Sequence, residues 1–174
     1  KKEITEDTTI NEGTFESTSQ DENTILVNGG VTVTLSNISV TKTGDSDGGD
    51  NTSFYGTNSA IIAKSGANLT LKNISVKTNA TSANGVFSYG GSATTNNSSS
   101  DGTTITISDS SITTLKDNSG GIMTTGGGNM NAYNLTINTS GTSSAAIRTD
   151  RGGGTVTVEG GTYTTFLYIT LYLS

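Results

Sequence analysis

The stretch VTVTLSNISV at residues 31–40, with its near copy LTLKNISV at residues 69–76, decides the fold of this 174-residue chain. In both copies, two short runs of alternating apolar and polar residues flank an Asn, which is typical of two β-strands that meet at a tight corner. The unit recurs as TITISDSSIT, MNAYNLTI and VTVEGGTYT at residues 104–113, 130–137 and 156–164, and in part as TINEGTFES at 9–17.

The copies are regularly spaced along the chain. The apolar residues before the corners lie 25, 36, 36, 25 and 26 residues apart, at Ile10, Leu35, Leu71, Ile107, Ala132 and Val158. A repeat of about 25 residues with two insertions, near 44–58 and 91–103, accounts for all five intervals. A third short strand precedes each complete copy, at TILVN 24–28, AIIAK 60–64, GVFSY 85–89, GIMTT 121–125 and AIRTD 146–150.

Three short strands per repeat predict one all-β domain, a right-handed parallel β-helix of about six coils. Each strand then pairs with its equivalent in the next coil at about 4.8 Å, which makes the stack about 29 Å long. We expect residues 1–8 to be a lead-in, residues 9–165 to form the coils and residues 166–174 to be an atypical apolar tail. Repeats that contact only their neighbours need few apolar residues, and only 30% of this chain is hydrophobic.

The alternation predicts columns of inward apolar side chains, stacked coil on coil. One column is formed by the six residues before the corners, and a second by Val33, Leu69, Ile105, Met130 and Val156. A third is expected from Phe15, Ile38, Ile74, Ile112, Leu135 and Tyr163, with Val40, Val76 and Ile137 two residues further on. A fourth comprises Ile25, Ile61, Val86, Ile122 and Ile147.

The corner residues Asn37, Asn73 and Asn134 should form an asparagine ladder, with each side-chain amide bonded to its neighbours along the stack. Asp109 is expected to extend the ladder imperfectly, in a coil that we interpret as having one extra corner residue. The pattern resembles the right-handed β-helices of the pectate-lyase-like superfamily. More closely, it resembles the Thr/Asn/Gly-rich repeats of bacterial and archaeal adhesin-like cell-surface proteins. The resemblance implies a fold that carries lyases, hydrolases, adhesins and scaffolds alike.

Composition excludes several classes of function. The chain has no His, Cys, Trp or Pro, so His- or Cys-based nucleophilic catalysis and structural zinc sites are excluded. A net charge of −6 with only nine Lys and Arg argues against nucleic-acid binding. No apolar run approaches the roughly 20 residues of a membrane-spanning helix.

The sequence offers no strong catalytic constellation. A glycoside hydrolase needs two carboxyl groups within about 5–10 Å, and Asp109 and Glu159 are expected two coils apart. A lyase needs a basic side chain, and Lys64 and Arg148 are expected three coils apart on one face. We expect no catalytic activity, with a polysaccharide lyase acting on uronates as the main alternative.

A cation site is the first of three candidate binding features. Residues 43–51, TGDSDGGDN, place Asp45, Asp47 and Asp50 around two glycines, in a loop that could supply oxygen ligands to Ca²⁺. The closing Glu of an EF-hand loop is missing, and a solvated acidic loop is the alternative. No other cofactor is expected.

The second feature is an outward array of Thr and Asn, which predicts a ligand-binding face. Its main column is Thr9, Thr34, Thr70, Thr106, Asn131 and Thr157, and beside it run Thr32, Asn68, Thr104, Asn129 and Thr155. Tyr55, Tyr89 and Tyr133 could stack on sugars. Thr is also a common exposed strand residue. Regular Thr-x-Thr rows resemble those of ice-binding β-helices, although Asn interrupts two of them.

The third feature is an outward apolar row, Leu26, Ile62, Phe87 and Met123, which ends at Arg148. Such a row predicts an interface. Its cover could be the insertion with Phe54 and Tyr55, the C-terminal tail, or a partner such as a second copy. The strictly alternating tail at 166–174 could itself cap the last coil or pair with another copy.

Together these features predict a secreted or cell-surface β-helix that acts in adhesion, glycan binding or scaffolding. Its expected partners are glycans or another cell-surface protein. An ice-binding protein is a further alternative to the lyase.

Overall fold

The computed structural model describes residues 1–91 and 99–166 as a parallel β-helix of six coils with three strands each. The first strands of the coils form sheet A: β1 (Lys2–Ile4), β4 (Ile25–Asn28), β7 (Ile61–Lys64), β10 (Val86–Tyr89), β13 (Ile122–Thr125) and β16 (Ile147–Thr149). The second strands form sheet B: β2 (Thr8–Ile10), β5 (Thr32–Ser36), β8 (Asn68–Lys72), β11 (Thr104–Ser108), β14 (Gly128–Tyr133) and β17 (Gly154–Glu159).

The third strands form sheet C: β3 (Gly13–Ser17), β6 (Ile38–Lys42), β9 (Ser75–Thr78), β12 (Ser111–Thr114), β15 (Thr136–Ser140) and β18 (Thr162–Phe166). Every strand pairs in parallel with its equivalents in the adjacent coils. The lead-in is part of this architecture, because Lys2–Ile4 pairs with Ile25–Val27 and supplies the first strand of coil 1. The short helix α1 (Asp50–Ser53) lies in the first insertion.

Strand register confirms three of the four predicted core columns. Leu35 pairs with Leu71, which pairs with Ile107, and the columns that contain Val33 and Ile25 are likewise continuous. These side chains are buried in the four inner coils and form one apolar cluster along the axis. No helix in the described ranges is long and apolar enough to cross a membrane.

The predicted column of sheet C was wrong, because it combined two different columns. Phe15 stacks on Val40 and not on Ile38, which pairs with Gly13. The continuous column is Phe15, Val40, Val76, Ile112, Ile137 and Tyr163. Ile38, Ile74 and Leu135 fill a separate buried position beside the corner. Ser110 takes that position in coil 4, so the apolar residues of that coil begin two residues later.

The corner between sheets B and C, which carries the asparagine ladder, has the same number of residues in coil 4 as in coil 3. Ser108 pairs with Lys72 and Ser111 with Ser75, so the expected extra corner residue does not exist. Asp109 occupies the ladder position with φ 51°, and Asn73 has the same φ. Asn and Asp tolerate this left-handed backbone better than most residues, which explains why they recur at the corner.

Candidate functional site

A polar groove follows the corner between sheets B and C, and we take it with the outer face of sheet B as the candidate site. The groove has a volume of about 720 Å³ and touches coils 1 to 5. Its lining is almost entirely hydroxyl, amide and backbone groups from Glu12, Gly13, Thr14, Asn37, Ile38, Ser39, Asn73, Ile74, Ser75, Asp109, Ser110, Ser111, Asn134 and Thr136. Among the described residues, Glu12 and Asp109 supply the only charged side chains of the groove.

The asparagine ladder forms the floor of this groove. The Asn73 amide donates to the Asn37 side-chain oxygen at 2.7 Å, and the Asn134 amide donates to an Asp109 carboxylate oxygen at 3.0 Å. The Asn37 amide donates to the Asn11 carbonyl at 3.2 Å. These contacts confirm the ladder in two segments, in coils 1 to 3 and in coils 4 and 5. Among the described residues no side-chain bond joins Asn73 to Asp109, since a carboxylate cannot donate to the Asn73 side-chain oxygen.

The outward Thr and Asn side chains of sheet B lie in the predicted register. Thr34 pairs with Thr70, Thr70 with Thr106, Thr106 with Asn131, and Asn131 with Thr157. The second column continues in the same way from Thr32 to Thr155. The four inner members of the main column are half-buried and Thr157 is exposed. Sheet B therefore presents these two parallel columns of hydroxyl and amide groups to solvent, and we call them the Thr and Asn rows.

Tyr133 and Tyr89 lie in different places. Tyr133 projects from sheet B between Ser108 and Glu159 and is 37% exposed, so its ring stands beside the Thr rows. Tyr89 belongs to sheet A and packs edge-on against Tyr55, with ring centroids 5.8 Å apart. Burial, and then the neighbouring Tyr55 and Asp101, raise the pKa of Tyr89. Only Tyr133 therefore joins the candidate site.

The outward apolar row of sheet A is covered by the first insertion. Leu26, Ile62, Phe87 and Met123 form a second buried cluster, against which Tyr89 packs. A Cβ on Gly56 would lie 2.6 Å from Ile62 Cδ1 and 2.9 Å from Phe87 Cδ1, which shows how closely the insertion backbone approaches the row. Of the three covers considered, the insertion with Phe54 and Tyr55 is the one that the structure shows, so the row lies in the interior and does not present an exposed interface.

The first insertion reaches far along the stack. The Phe54 carbonyl accepts a 2.6 Å hydrogen bond from Thr125 Oγ1 in coil 5. The Arg151 guanidinium lies 4.0 Å from the centre of the Phe54 ring and 3.7 Å from Asp50. The Asn23 amide, between coils 1 and 2, donates to the Gly56 carbonyl at 2.8 Å. The insertion therefore contacts the chain from the start of coil 2 to coil 6.

Asp45, Asp47 and Asp50 do not converge on a cation site. Asp45 Oδ1 accepts the Thr81 backbone N–H at 2.7 Å, and Asp50 opens helix α1 and faces Arg151. Within residues 1–91 and 99–166, no three acidic side chains are arranged to hold a metal ion. Asp45 instead caps the next coil, as Asp117 does for Thr142 at 2.7 Å.

Lys42 is a buried charge that was not predicted from the sequence. Its Nζ donates to the carbonyls of Ser19 and Gly44, at 2.6 and 2.7 Å, and its side chain is fully buried. Burial lowers the pKa of Lys42, while the carboxylates of Glu22, Asp45 and Asp21 act in the opposite direction. The signal was present in the alternation ISVTK, which points Ile38, Val40 and Lys42 to the same side.

The basic residues expected for a lyase are not brought together. Arg148 forms an ion pair with Asp150 at 3.0 Å, at one end of the stack. Lys64 lies in the column of Tyr89 and not in that of Arg148.

Comparison with family models, curated proteins and solved structures gave no match.

Proposed function

We propose that this chain is a non-catalytic module of a secreted or cell-surface protein that binds a linear, uncharged polysaccharide. The glycan lies along the stack, in the corner groove and against the Thr and Asn rows of sheet B. The observation that carries the proposal is the continuous register of hydroxyl and amide groups beside a groove that contains no cationic side chain.

Hydroxyl and amide side chains are suited to sugars because each can donate and accept hydrogen bonds, as each sugar hydroxyl does. The groove touches five coils, so its length is about 19 Å at 4.8 Å per coil. That length favours a polymer over a single sugar. The exposed ring of Tyr133 offers an apolar surface beside the rows, on which a sugar face can pack.

The charges favour an uncharged glycan over a uronate. The two carboxylates of the groove, on Glu12 and Asp109, would repel an acidic polymer, and among the described residues no Lys or Arg lines the groove to compensate. On the adjoining face of sheet B, Lys72 carries one positive charge and Glu159, in the same outward column, carries one negative charge. A lyase for uronates would need the reverse balance. For this reason we rank the binding of neutral glycans ahead of the lyase alternative.

The spacing of the carboxylates also favours binding over hydrolysis. Glu12 and Asp109 occupy ladder positions three coils apart, or about 14 Å at 4.8 Å per coil. Paired glycosidase carboxyl groups lie at most about 9.5 Å apart. Asp109 is in addition engaged by the Asn134 amide.

Ice binding is a second candidate, favoured by the regular register of the Thr rows. The same face carries Lys72 and Tyr133, which break its uniformity, so we place glycan binding first. Thermal hysteresis with faceted ice crystals, together with a blank glycan array, would reverse this order.

A glycan array followed by calorimetry tests the proposal. The double variant Thr70→Val and Thr106→Val keeps the strand shape but removes two hydroxyls, so we expect about tenfold weaker binding of a neutral glycan. Thr164→Val, on the outer face of sheet C in coil 6, which the groove does not touch, is the control and should bind like the unmodified chain. Absence of any saturable glycan on the array, or equal loss in the control, would contradict the proposal.

A further inference from the structure

The asparagine ladder on the floor of the groove is interrupted between coils 3 and 4. The Asn73 amide donates to Asn37 in coil 2, and the Asn134 amide donates to Asp109 in coil 4, so the amides of both segments point towards the preceding coil. A continuous ladder needs such a donor at every position. The Asp109 carboxylate has none, so the bond from coil 4 back to coil 3 is missing.

The interruption leaves two oxygen acceptors next to each other, on Asn73 and Asp109, and we call this place the ladder gap. The Asn73 amide nitrogen is directed at coil 2, so its side-chain oxygen is turned towards coil 4. One Asp109 oxygen accepts the Asn134 amide, which leaves the other oxygen for a further donor. Strand register places the two residues at equivalent corners of adjacent coils, about 4.8 Å apart.

The ladder gap is open to a ligand. Asn73 and Asp109 are both exposed, and both line the groove. The neighbouring Ser110 hydroxyl donates to the Ser108 carbonyl at 2.6 Å instead of to the gap. Among the described residues, Asp109 takes part in no ion pair, although Lys72 lies on the adjoining face of sheet B. The donors that complete the ladder must therefore come from a bound molecule or from water.

Two adjacent acceptors are complementary to two donors on one ligand. Hydroxyl groups on neighbouring carbons of a sugar ring form such a pair, because each can donate one proton and still accept a hydrogen bond. The bond to the Asp109 carboxylate is charge-assisted and therefore stronger than a bond between neutral groups. Ser75 and Ser111 are exposed beside the ladder gap, and their hydroxyls can donate to the same sugar in return.

We propose that the ladder gap is a subsite for two adjacent free hydroxyls of one sugar, and that it selects neutral glycans that carry such a pair. This inference rests on the proposed function and narrows its class of ligand. The gap lies in coils 3 and 4, at the middle of the five coils that the groove touches. An N-acetylated sugar has an acetamido group in place of one hydroxyl, with a single N–H and a bulkier substituent, so it fits the gap less well.

The variant Asp109→Asn tests the subsite because it closes the ladder gap. Its new amide can donate to the Asn73 oxygen, and its remaining oxygen can still accept the Asn134 amide, so no ladder bond is lost. We expect about tenfold weaker binding of neutral glycans with adjacent free hydroxyls, measured by calorimetry on glycans found on the array. The melting temperature should equal or exceed that of the unmodified chain, whereas structural damage would lower it together with the affinity.

Glu12→Gln is the matched control, since it removes the other carboxylate of the groove and leaves the ladder gap unchanged. It should bind glycans like the unmodified chain. The array includes pairs of neutral glycans with the same linkage, such as cellohexaose and chitohexaose, which differ in carrying a hydroxyl or an acetamido group on each sugar. The unmodified chain should bind the hydroxyl member of such a pair more tightly, and Asp109→Asn should reduce this preference.

The possible results separate this inference from the proposed function. Equal affinities of the unmodified chain and Asp109→Asn for an array glycan would overturn the subsite and leave the proposed function intact, whereas an array without any saturable glycan would contradict both. An equal loss in Glu12→Gln would assign the effect to net charge, and loss of binding in EDTA would assign the gap to a cation. Either result, or tighter binding of the acetamido members, would overturn the inference.

Discussion

The outer faces of sheets A and B show how one alternating pattern leads to two different environments. On both faces the outward residues follow the same two-residue period. The apolar row of sheet A, Leu26, Ile62, Phe87 and Met123, is buried, whereas the outward residues of sheet B, among them Thr106, remain in contact with solvent. The difference comes from the first insertion, which covers sheet A.

This comparison separates direction from exposure. The alternation of a strand determines which way a side chain points, because successive residues face opposite sides of the sheet. Whether an outward side chain meets water depends on what the rest of the chain places over it. The residue types match these two environments. The solvent-exposed face of sheet B carries Thr, and the covered row of sheet A is apolar.

The largest expected effect comes from Phe87→Ala beneath the insertion. Truncation of a fully buried Phe leaves a cavity, so we expect a loss of about 3–5 kcal/mol in the free energy of unfolding. Denaturant titration measures this. Thr106→Val, at an outward position of sheet B, is the comparison and should change stability by no more than about 0.5 kcal/mol. Similar losses at the two positions would contradict the contrast between the faces.

A smaller effect is expected from Gly56→Ala, which tests the fit of the insertion. Gly56 has φ 72°, and an Ala in this left-handed conformation lowers the free energy of unfolding by about 1–3 kcal/mol. Clashes of its Cβ with Ile62 and Phe87 add to this loss. Gly153→Ala is the control, since Gly153 also has a left-handed φ, 58°, and open space around its Cβ position. Thermal melting should show Gly56→Ala to be the less stable variant. Equal melting temperatures would mean that the insertion does not pack closely against the apolar row of sheet A.

The smallest expected effect is the pH dependence of stability that Lys42 confers. Lys42 ends β6, just before the first insertion. Its pKa is lowered in the folded chain, so between that value and the ordinary lysine pKa of about 10.4 the unfolded chain binds more protons. Stability should therefore rise with pH in this window. Lys42→Met should lack the rise, which unfolding measured up to about pH 10 can detect. Parallel pH profiles for the two chains would show that Lys42 keeps its ordinary pKa.

Most of the fold could be predicted from the sequence, because each coil repeats the same short-range signals. The Asn corners, the two-residue alternation and the spacing of the copies were sufficient to place the strands and three of the core columns. Sheet C was mispredicted at Ile38 and Ile112, since Ser110 and the glycines at 13 and 161 replace the apolar residue beside the corner. Only the pairing of strands shows which apolar residue is equivalent to which.

The candidate site was predictable only in part. The Thr and Asn rows followed from the alternation, and their register is confirmed. The corner groove was not foreseen, because its shape depends on how sheets B and C meet. The acidic residues of the first insertion suggested a calcium ligand set. In the structure, Asp45 instead accepts a hydrogen bond from the backbone of the next coil, and Asp50 faces Arg151. A loop sequence does not reveal which partners the neighbouring coils provide.

The sequence by itself determined the coil, since strand alternation, corner residues and repeat length are local properties that act over a few residues. Only the tertiary structure decided which surfaces of the stack remain open. Contacts between residues as far apart as Phe54 and Thr125 bury one outer face and leave the other to solvent. Such contacts depend on the shape of the assembled stack, and no short stretch of the chain encodes that shape.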